Sequence, residues 1–192
     1  MRLFLAVTLP PELLDAIEAA QKGLQAALTD PGVRWTKPDQ FHYTLKFLGE
    51  QKLERVYKAI DVARAVGDRY LPFELALGGL GCFPNLERPS ILWLGAERGG
   101  EELLSLAQGL DAELARYRFL KENKPPKAHL TLARLKSYQA EEQVARAFPA
   151  LPPPSVGAFT ITDFALMQSI LHPTGPVYKV IERFDLRGQA SQ

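Results

Sequence analysis

His42-Tyr43-Thr44-Leu45 and His129-Leu130-Thr131-Leu132 carry one pattern, His-x-Thr-Leu, at an offset of 129 − 42 = 87 in a chain of 192 residues. Each opens a run rich in apolar and β-favouring residues, and His42 to Leu48 and His129 to Leu135 read as strands. A helical pattern precedes and another follows each strand. The strand beginning at Phe73 has a counterpart beginning at Phe159, and that at Ile91 one at Val177, both at an offset of 86 (159 − 73 and 177 − 91). Features recurring at nearly one offset mark an internal repeat, which outranks local readings. The fold class expected is α+β: two lobes related by a pseudo-twofold axis, each an antiparallel-rich sheet with helices on its outer face. The active site would lie in the central cleft.

The remaining elements fill in around this repeat. Leu3 to Val7 is a strand apolar on both faces, as a strand covered on both sides must be. Pro10-Pro11 opens a helix whose stripe is Leu13, Ile17, Ala20, Leu24 and Leu28, ended by Thr29-Asp30-Pro31-Gly32. Val33 to Trp35 reads as a short strand and Lys37-Pro38 as a turn. A second helix from about Lys52 to Val66 is expected to bury Leu53, Tyr57, Ile60 and Ala63. Strands at Phe73 to Leu77 and Ser90 to Leu94 flank a loop bearing Gly78, Gly79, Gly81 and Pro84. A third helix, about Glu101 to Tyr117, turns Leu103, Leu106, Leu110 and Leu114 inward. After the second His strand come a short helix from Ala140 to Ala147, a Pro-rich stretch from Pro149 to Pro154, and strands at Phe159 to Met167 and Val177 to Phe184. Residues 1–188 are expected to form a single bilobal domain, with 189–192 as a tail and a loose chain already after Leu186.

Composition narrows the function classes. Hydrophobic residues are 46% and charged residues 23%, ordinary for a globular protein and unlike disordered, collagenous or coiled-coil chains. Lys+Arg 23 against Asp+Glu 22 leaves a net charge of +1, too small by itself to signal nucleic acid or a membrane surface. Cys82 is the lone cysteine, so no intrachain disulfide and no thiolate metal cage can form. No apolar run approaches the roughly 18 residues of a spanning helix, and Leu3 to Val7 is too short for a signal peptide. The expected address is the cytoplasm.

Chemistry resides in the repeated motif. Residues two apart on a strand share a face, so His42 with Thr44, and His129 with Thr131, present an imidazole and a hydroxyl together. Two such pairs meeting across a cleft supply one ring to take a proton and another to give one. The hydroxyls suit phosphoryl oxygens, and the set fits attack on a phosphodiester with no metal and no cofactor. A single His-x-Thr is most often structural, but two at matching places in a repeat, in a chain with three histidines, favour a site. Zinc would need three or four ligands, and neither motif brings a carboxylate or thiol at ligand spacing. Strand alternation alone puts Lys46 on the face of His42 and Thr44, within reach of a phosphate. It puts Arg134 on the face of Leu130 and Leu132, away from the cleft unless the strand twists or ends. Tyr43 and Phe47 read as core. Lys121, Lys124 and Lys127 offer a basic lip to an RNA backbone. His172 reads as a loop histidine.

These motifs resemble those of the 2H phosphoesterase superfamily, and within it the bacterial and archaeal RNA 2′,3′-cyclic phosphodiesterases, historically called 2′-5′ RNA ligases. The similar stretches are Arg2 to Val7, Arg34-Trp35 before Lys37-Pro38, His42 to Glu50, Gly81 to Pro84, Ile91 to Gly95, His129 to Arg134, and Ser169 through Tyr178. They span nearly the whole chain in order. The resemblance implies opening of an RNA 2′,3′-cyclic phosphate to a 2′-phosphate end, with His42 as proton donor and His129 as proton acceptor. Thr44 and Thr131 would hold the non-bridging oxygens, with Lys46 and Arg134 as further substrate-binding candidates. Symmetry leaves the donor and acceptor labels to the resemblance alone. Run backwards, the site would join ends by a 2′-5′ bond. The implied partner is RNA with a 2′,3′-cyclic phosphate end, tRNA halves included; no membrane is implied, and a monomer is expected. The competing readings are a phosphoesterase for a small cyclic nucleotide such as a cyclic phosphate of ADP-ribose, and a non-catalytic RNA or nucleotide binder.

Overall fold

The computed structural model describes residues 1–123, 125–173 and 175–188. Lys124 of the basic lip and the tail 189–192 lie outside the described residues. In chain order the elements are β1 (Arg2–Thr8), α1 (Pro11–Gln25), β2 (Val33–Trp35), β3 (His42–Glu50), α2 (Leu53–Gly67), β4 (Phe73–Phe83) and β5 (Ile91–Arg98). They continue with α3 (Gly100–Arg116), β6 (Leu130–Leu135), α4 (Tyr138–Ala147), β7 (Ser155–Ile161), β8 (Asp163–His172) and β9 (Gly175–Asp185). Among the described residues the strands form two sheets, ordered β3-β1-β8-β9 and β2-β6-β5-β4-β7, with every pairing antiparallel. None of the described helices is long and apolar enough to cross a membrane.

The two sheet orders expose the repeat in space. Read from each motif strand, β3-β1-β8-β9 aligns with β6-β5-β4-β7. Helices cross over symmetrically as well: α1 follows a strand of the first sheet but packs on β7 of the second, and α3 follows a strand of the second but packs on β3 of the first. One continuous core fills the space between sheets and helices, from Leu3, Leu5 and Val7 through Tyr43 and Leu45 to Leu92, Leu94, Leu130 and Leu132. The opposite face of β1 carries a separate small cluster, Phe4 and Ala6 with Ala165 and Met167. β1 is thus apolar on both faces because both are covered.

Local chemistry sets the element ends. Pro11 starts α1, where its missing N–H costs nothing. The Ser137 hydroxyl accepts from the Ala140 amide and caps α4. Gly99 enters α3 with φ 75°, and a Cβ there would run into the Glu74 carbonyl oxygen, so only glycine fits.

Several expectations need correcting. The strand at Phe159 is not the spatial counterpart of that at Phe73: Leu75 pairs directly with Phe159 in one sheet, and β8 holds the place in the first sheet that β4 holds in the second. Phe159 to Met167 is not one strand, since the chain leaves the second sheet after Ile161 and enters the first at Asp163. Gly78, Gly79 and Gly81 do not form a loop; β4 runs on to Phe83 through an irregularity in its pairing with β5 at Gly79, φ 76°. Helix α2 buries Val56, Ala59, Val62, Ala63 and Val66, while Leu53 and Tyr57 are each 61% exposed. Small and β-branched side chains allow α2 close approach to α3, and that seam outbids the bulkier stripe. His172 ends β8 rather than sitting in a loop. The chain is not yet loose just after Leu186, because the amides of Arg187 and Gly188 donate to the carbonyls of Gly67 and Tyr70.

Tyr43 ties the two sheets together. Its hydroxyl, fully buried, donates to the Gly95 carbonyl of β5 at 2.7 Å. Burial in apolar surroundings pushes the phenol above its usual range, so it remains a donor at all working pH. Tyr43→Phe leaves that carbonyl without its partner and is expected to lower the unfolding free energy by about 1–3 kcal/mol in urea denaturation.

Candidate active site

His42 opens β3, and His129 sits one residue before β6, so each imidazole stands at the start of its motif strand. The backbone holds both in the same way. His42 Nδ1–H donates to the Gln40 carbonyl at 2.8 Å, and His129 Nδ1–H donates to the Lys127 carbonyl at 2.7 Å. A carbonyl only accepts, so in each neutral ring Nδ1 carries the proton and Nε2 keeps its lone pair. Two residues upstream in each repeat, one carbonyl thus selects the same tautomer. In both rings Nε2 is the nitrogen left with its lone pair.

Aromatic rings clamp each imidazole from the side. His42 lies 5.0 Å from the Phe4 ring and 5.1 Å from Tyr178, the latter edge-on. His129 meets Phe83 edge-on at 4.9 Å and Trp93 at 6.4 Å. Burial against these walls pushes His42 down from 6.5 to about 4, opposed by its bond to Gln40 and helped by the charges of His129 and Arg134. Burial lowers His129 as well, opposed by the Lys127 carbonyl and helped by the charges of Arg134 and Lys127. The charge of Arg134 bears on both rings, and that of His129 on His42.

A matched pair of bulges decides what else faces that centre. Between β1 and β3, Leu5 pairs with Lys46 and Ala6 with Thr44, leaving Leu45 as an extra residue. Between β5 and β6, Leu92 pairs with Ala133 and Trp93 with Thr131, leaving Leu132 extra. An extra residue reverses the alternation beyond it. Leu45 and Lys46 are therefore both buried on the helix side, as are Leu132 and Ala133, while Phe47 and Arg134 emerge on the cleft side. Thr44 and Thr131, before the bulges, remain beside their histidines.

Two expectations reverse accordingly. Lys46 does not reach the cleft: it is 2% exposed, its Nζ lies 2.7 Å from the Asp111 carboxylate on α3 and donates to the Leu120 carbonyl at 2.6 Å. It is an internal anchor between β3, α3 and the chain that follows α3. Arg134 does face the cleft, since the bulge turns it there. Phe47, read as core, is 59% exposed and stands 6.2 Å from Phe4. Of the basic lip, Lys127 reaches over Trp93 with Nζ 4.7 Å from the ring, whereas Lys121 is beside Asp111 and Glu122 on the helix side. Phe4, Tyr178, Phe83 and Trp93 went unremarked in the sequence as walls of the site. Only the doubly apolar pattern of β1 hinted that Phe4 had a surface of its own to cover.

A groove of about 840 Å³ runs along β4, β5 and the start of α3, lined by Gly78, Gly79, Trp93, Gly95, Glu97 and Lys127; neither histidine and neither threonine of the motifs lines it. A Cβ on Gly81 would run into the Trp93 ring, so glycine lets the indole lie flat against β4. No group of three or more His, Cys, Asp or Glu side chains is placed to hold a metal ion among the described residues.

The repeated sheets carry the two His-x-Thr motifs at matching places, His42 opening β3 and His129 just before β6. Residues 7–93 and 94–178 each match the family described as LigT-like phosphoesterase, and the chain belongs to that family. It is 36% identical over 196 residues to an RNA 2′,3′-cyclic phosphodiesterase of Thermus thermophilus, covering 98% of this chain and 92% of that one. It is 33% identical over 186 residues to the enzyme of that name from Methanothermobacter thermautotrophicus, covering 97% and 99%. A crystal structure of a Thermus thermophilus protein superposes with a TM-score of 0.83 at 36% identity, covering 99% and 100% of the two chains. Escherichia coli LigT in complex with 3′-AMP superposes with a TM-score of 0.77 at 28% identity, covering 96% and 97%.

Proposed function

We propose that this protein hydrolyses the 2′,3′-cyclic phosphate at the end of an RNA, leaving a 2′-phosphate and a free 3′-hydroxyl. The observation that supports the reading is the pair of imidazoles held in one tautomer by matching backbone carbonyls, each without an Nε2 partner among the described residues. Nε2 of His129 takes a proton from water as its oxygen attacks phosphorus. The bond from phosphorus to the 3′ oxygen breaks, and that oxygen receives a proton from Nε2 of His42. Thr44 and Thr131 donate to the non-bridging oxygens, and Arg134 offsets their charge. The same steps reversed, with an RNA 5′-hydroxyl in place of water, join two ends through a 2′-5′ bond. Metal plays no part in this scheme, and the protein acts as a monomer.

A donor held down to about 4 is deprotonated at neutral pH in the free enzyme. The phosphodiester anion supplies what is missing: its negative charge stabilises both imidazolium forms and raises both pKa values. Substrate binding therefore arms the acid. Names of the relatives and the 3′-AMP complex of Escherichia coli LigT support the choice of a ribonucleotide substrate.

End-group analysis after incubation with an RNA bearing a 2′,3′-cyclic phosphate tests the reading. The expected product carries only a 2′-phosphate, in the presence or absence of EDTA. A 3′-phosphate, or no turnover, refutes the reaction; loss on chelation restored by zinc refutes the metal-free scheme. Turnover confined to ADP-ribose cyclic phosphate would move the substrate class to small nucleotides.

A further inference from the structure

Arg34 on β2 pairs directly with Arg134 on β6, so the two guanidinium side chains leave their sheet on the same face. That face is the cleft. Val33 is buried and Trp35 packs on the main core, so Arg34 between them points the opposite way and is exposed. Two like charges directly opposite on neighbouring strands repel each other, and such a pair destabilises a sheet. Here nothing relieves it: the carboxylates within ion-pair distance of arginines serve other residues, and neither Arg34 nor Arg134 has a partner among the described residues. An uncompensated cation pair beside an active site is suited to anions.

Position separates the two. Arg134 acts on both imidazoles through its charge, whereas Arg34 is among the influences on neither. Arg34 stands one strand farther out, about 4.8 Å across the sheet. A terminal cyclic phosphate held between the histidines uses Arg134. The next phosphate of the chain, on the 5′ side of the same nucleoside, is the anion left for Arg34.

We propose that Arg34 forms a second phosphate subsite, which binds the phosphodiester 5′ to the terminal nucleoside and so favours RNA over a mononucleoside 2′,3′-cyclic phosphate. This rests on the reaction proposed above. Planar, bidentate recognition of a phosphodiester is what a guanidinium provides, and a mononucleoside cyclic phosphate lacks that group.

The test compares adenosine 2′,3′-cyclic phosphate with the diadenosine dinucleotide ending in the same cyclic phosphate. In Arg34→Gln, the ratio of kcat/KM on the dinucleotide to that on the mononucleoside is expected to fall about tenfold, the value of one lost charge-assisted contact at an exposed site. The fall should reside in KM, and the slope of log KM against log salt for the dinucleotide should flatten by about 0.7, one phosphate contact on a single strand. Arg34→Lys should restore the salt slope while recovering only part of the ratio. An unchanged ratio, or an equal loss on both substrates, overturns the subsite. Because wild-type turnover of the mononucleoside depends only on the histidine centre, failure of the subsite and failure of the proposed reaction give different results.

Discussion

His42→Ala and His129→Ala are each expected to lower kcat on an RNA 2′,3′-cyclic phosphate by about 10²–10⁴, the range that a positioned acid or base contributes. The pH profile distinguishes their roles. The proposed mechanism needs one ring neutral and the other protonated, so both kcat and kcat/KM are expected to follow a bell. In the free enzyme both rings lie below the ordinary imidazole value, His42 at about 4, because burial disfavours their charged forms. The kcat/KM bell should therefore be centred on the acid side of neutrality. The bound anion raises both pKa values, and the kcat bell should be displaced to higher pH. Loss of the acceptor removes the acidic limb, since no base remains to be protonated; loss of the donor removes the basic limb. His129→Ala is expected to abolish the first and His42→Ala the second. Limbs vanishing in the opposite order would exchange the two labels while keeping the mechanism. Turnover close to that of wild type in either variant would reduce that histidine to scaffolding.

Arg134→Met is expected to cost about 10²–10³ in kcat/KM, the effect of removing a preorganised group from developing phosphoryl charge. Its second consequence is a shift with a definite sign. The guanidinium lowers the pKa of both His42 and His129, so its removal raises both, and both limbs of the kcat/KM profile move to higher pH. A residue that only supported the fold would lower Tm and leave the limbs in place. Lys46→Met provides the contrast. Lys46 is sealed against Asp111 and Leu120, so its loss leaves a half-buried carboxylate without its partner and acts on stability first. Equal limb positions in Arg134→Met and wild type would remove Arg134 from the centre.

The repeated His-x-Thr-Leu was legible because a strand's period of two places His42 with Thr44, and His129 with Thr131, on one face whatever the tertiary context. Leucines of α3 were legible for the same kind of reason: Leu103, Leu106, Leu110 and Leu114 follow the helical period and are all buried. Periodicity fails where one residue is inserted, and no residue type announces the insertion. Leu45 and Leu132 look like ordinary strand leucines, yet the ladder steps past both, and that step moves Lys46 inward and Phe47 and Arg134 outward. The seam of α2 was hidden because Leu53 and Tyr57 have more apolar area than Val56 and Ala59, while the close approach of α3 rewards smaller side chains. Which sheet each strand joins was hidden too, since a pairing between β4 and β7, or β1 and β8, depends on residues far apart in the chain. The sequence by itself determined that two imidazoles and two hydroxyls would be presented in pairs. Only the tertiary structure decided which charged side chain emerges on their face, because that is set by bulges and cross-strand partners rather than by local order.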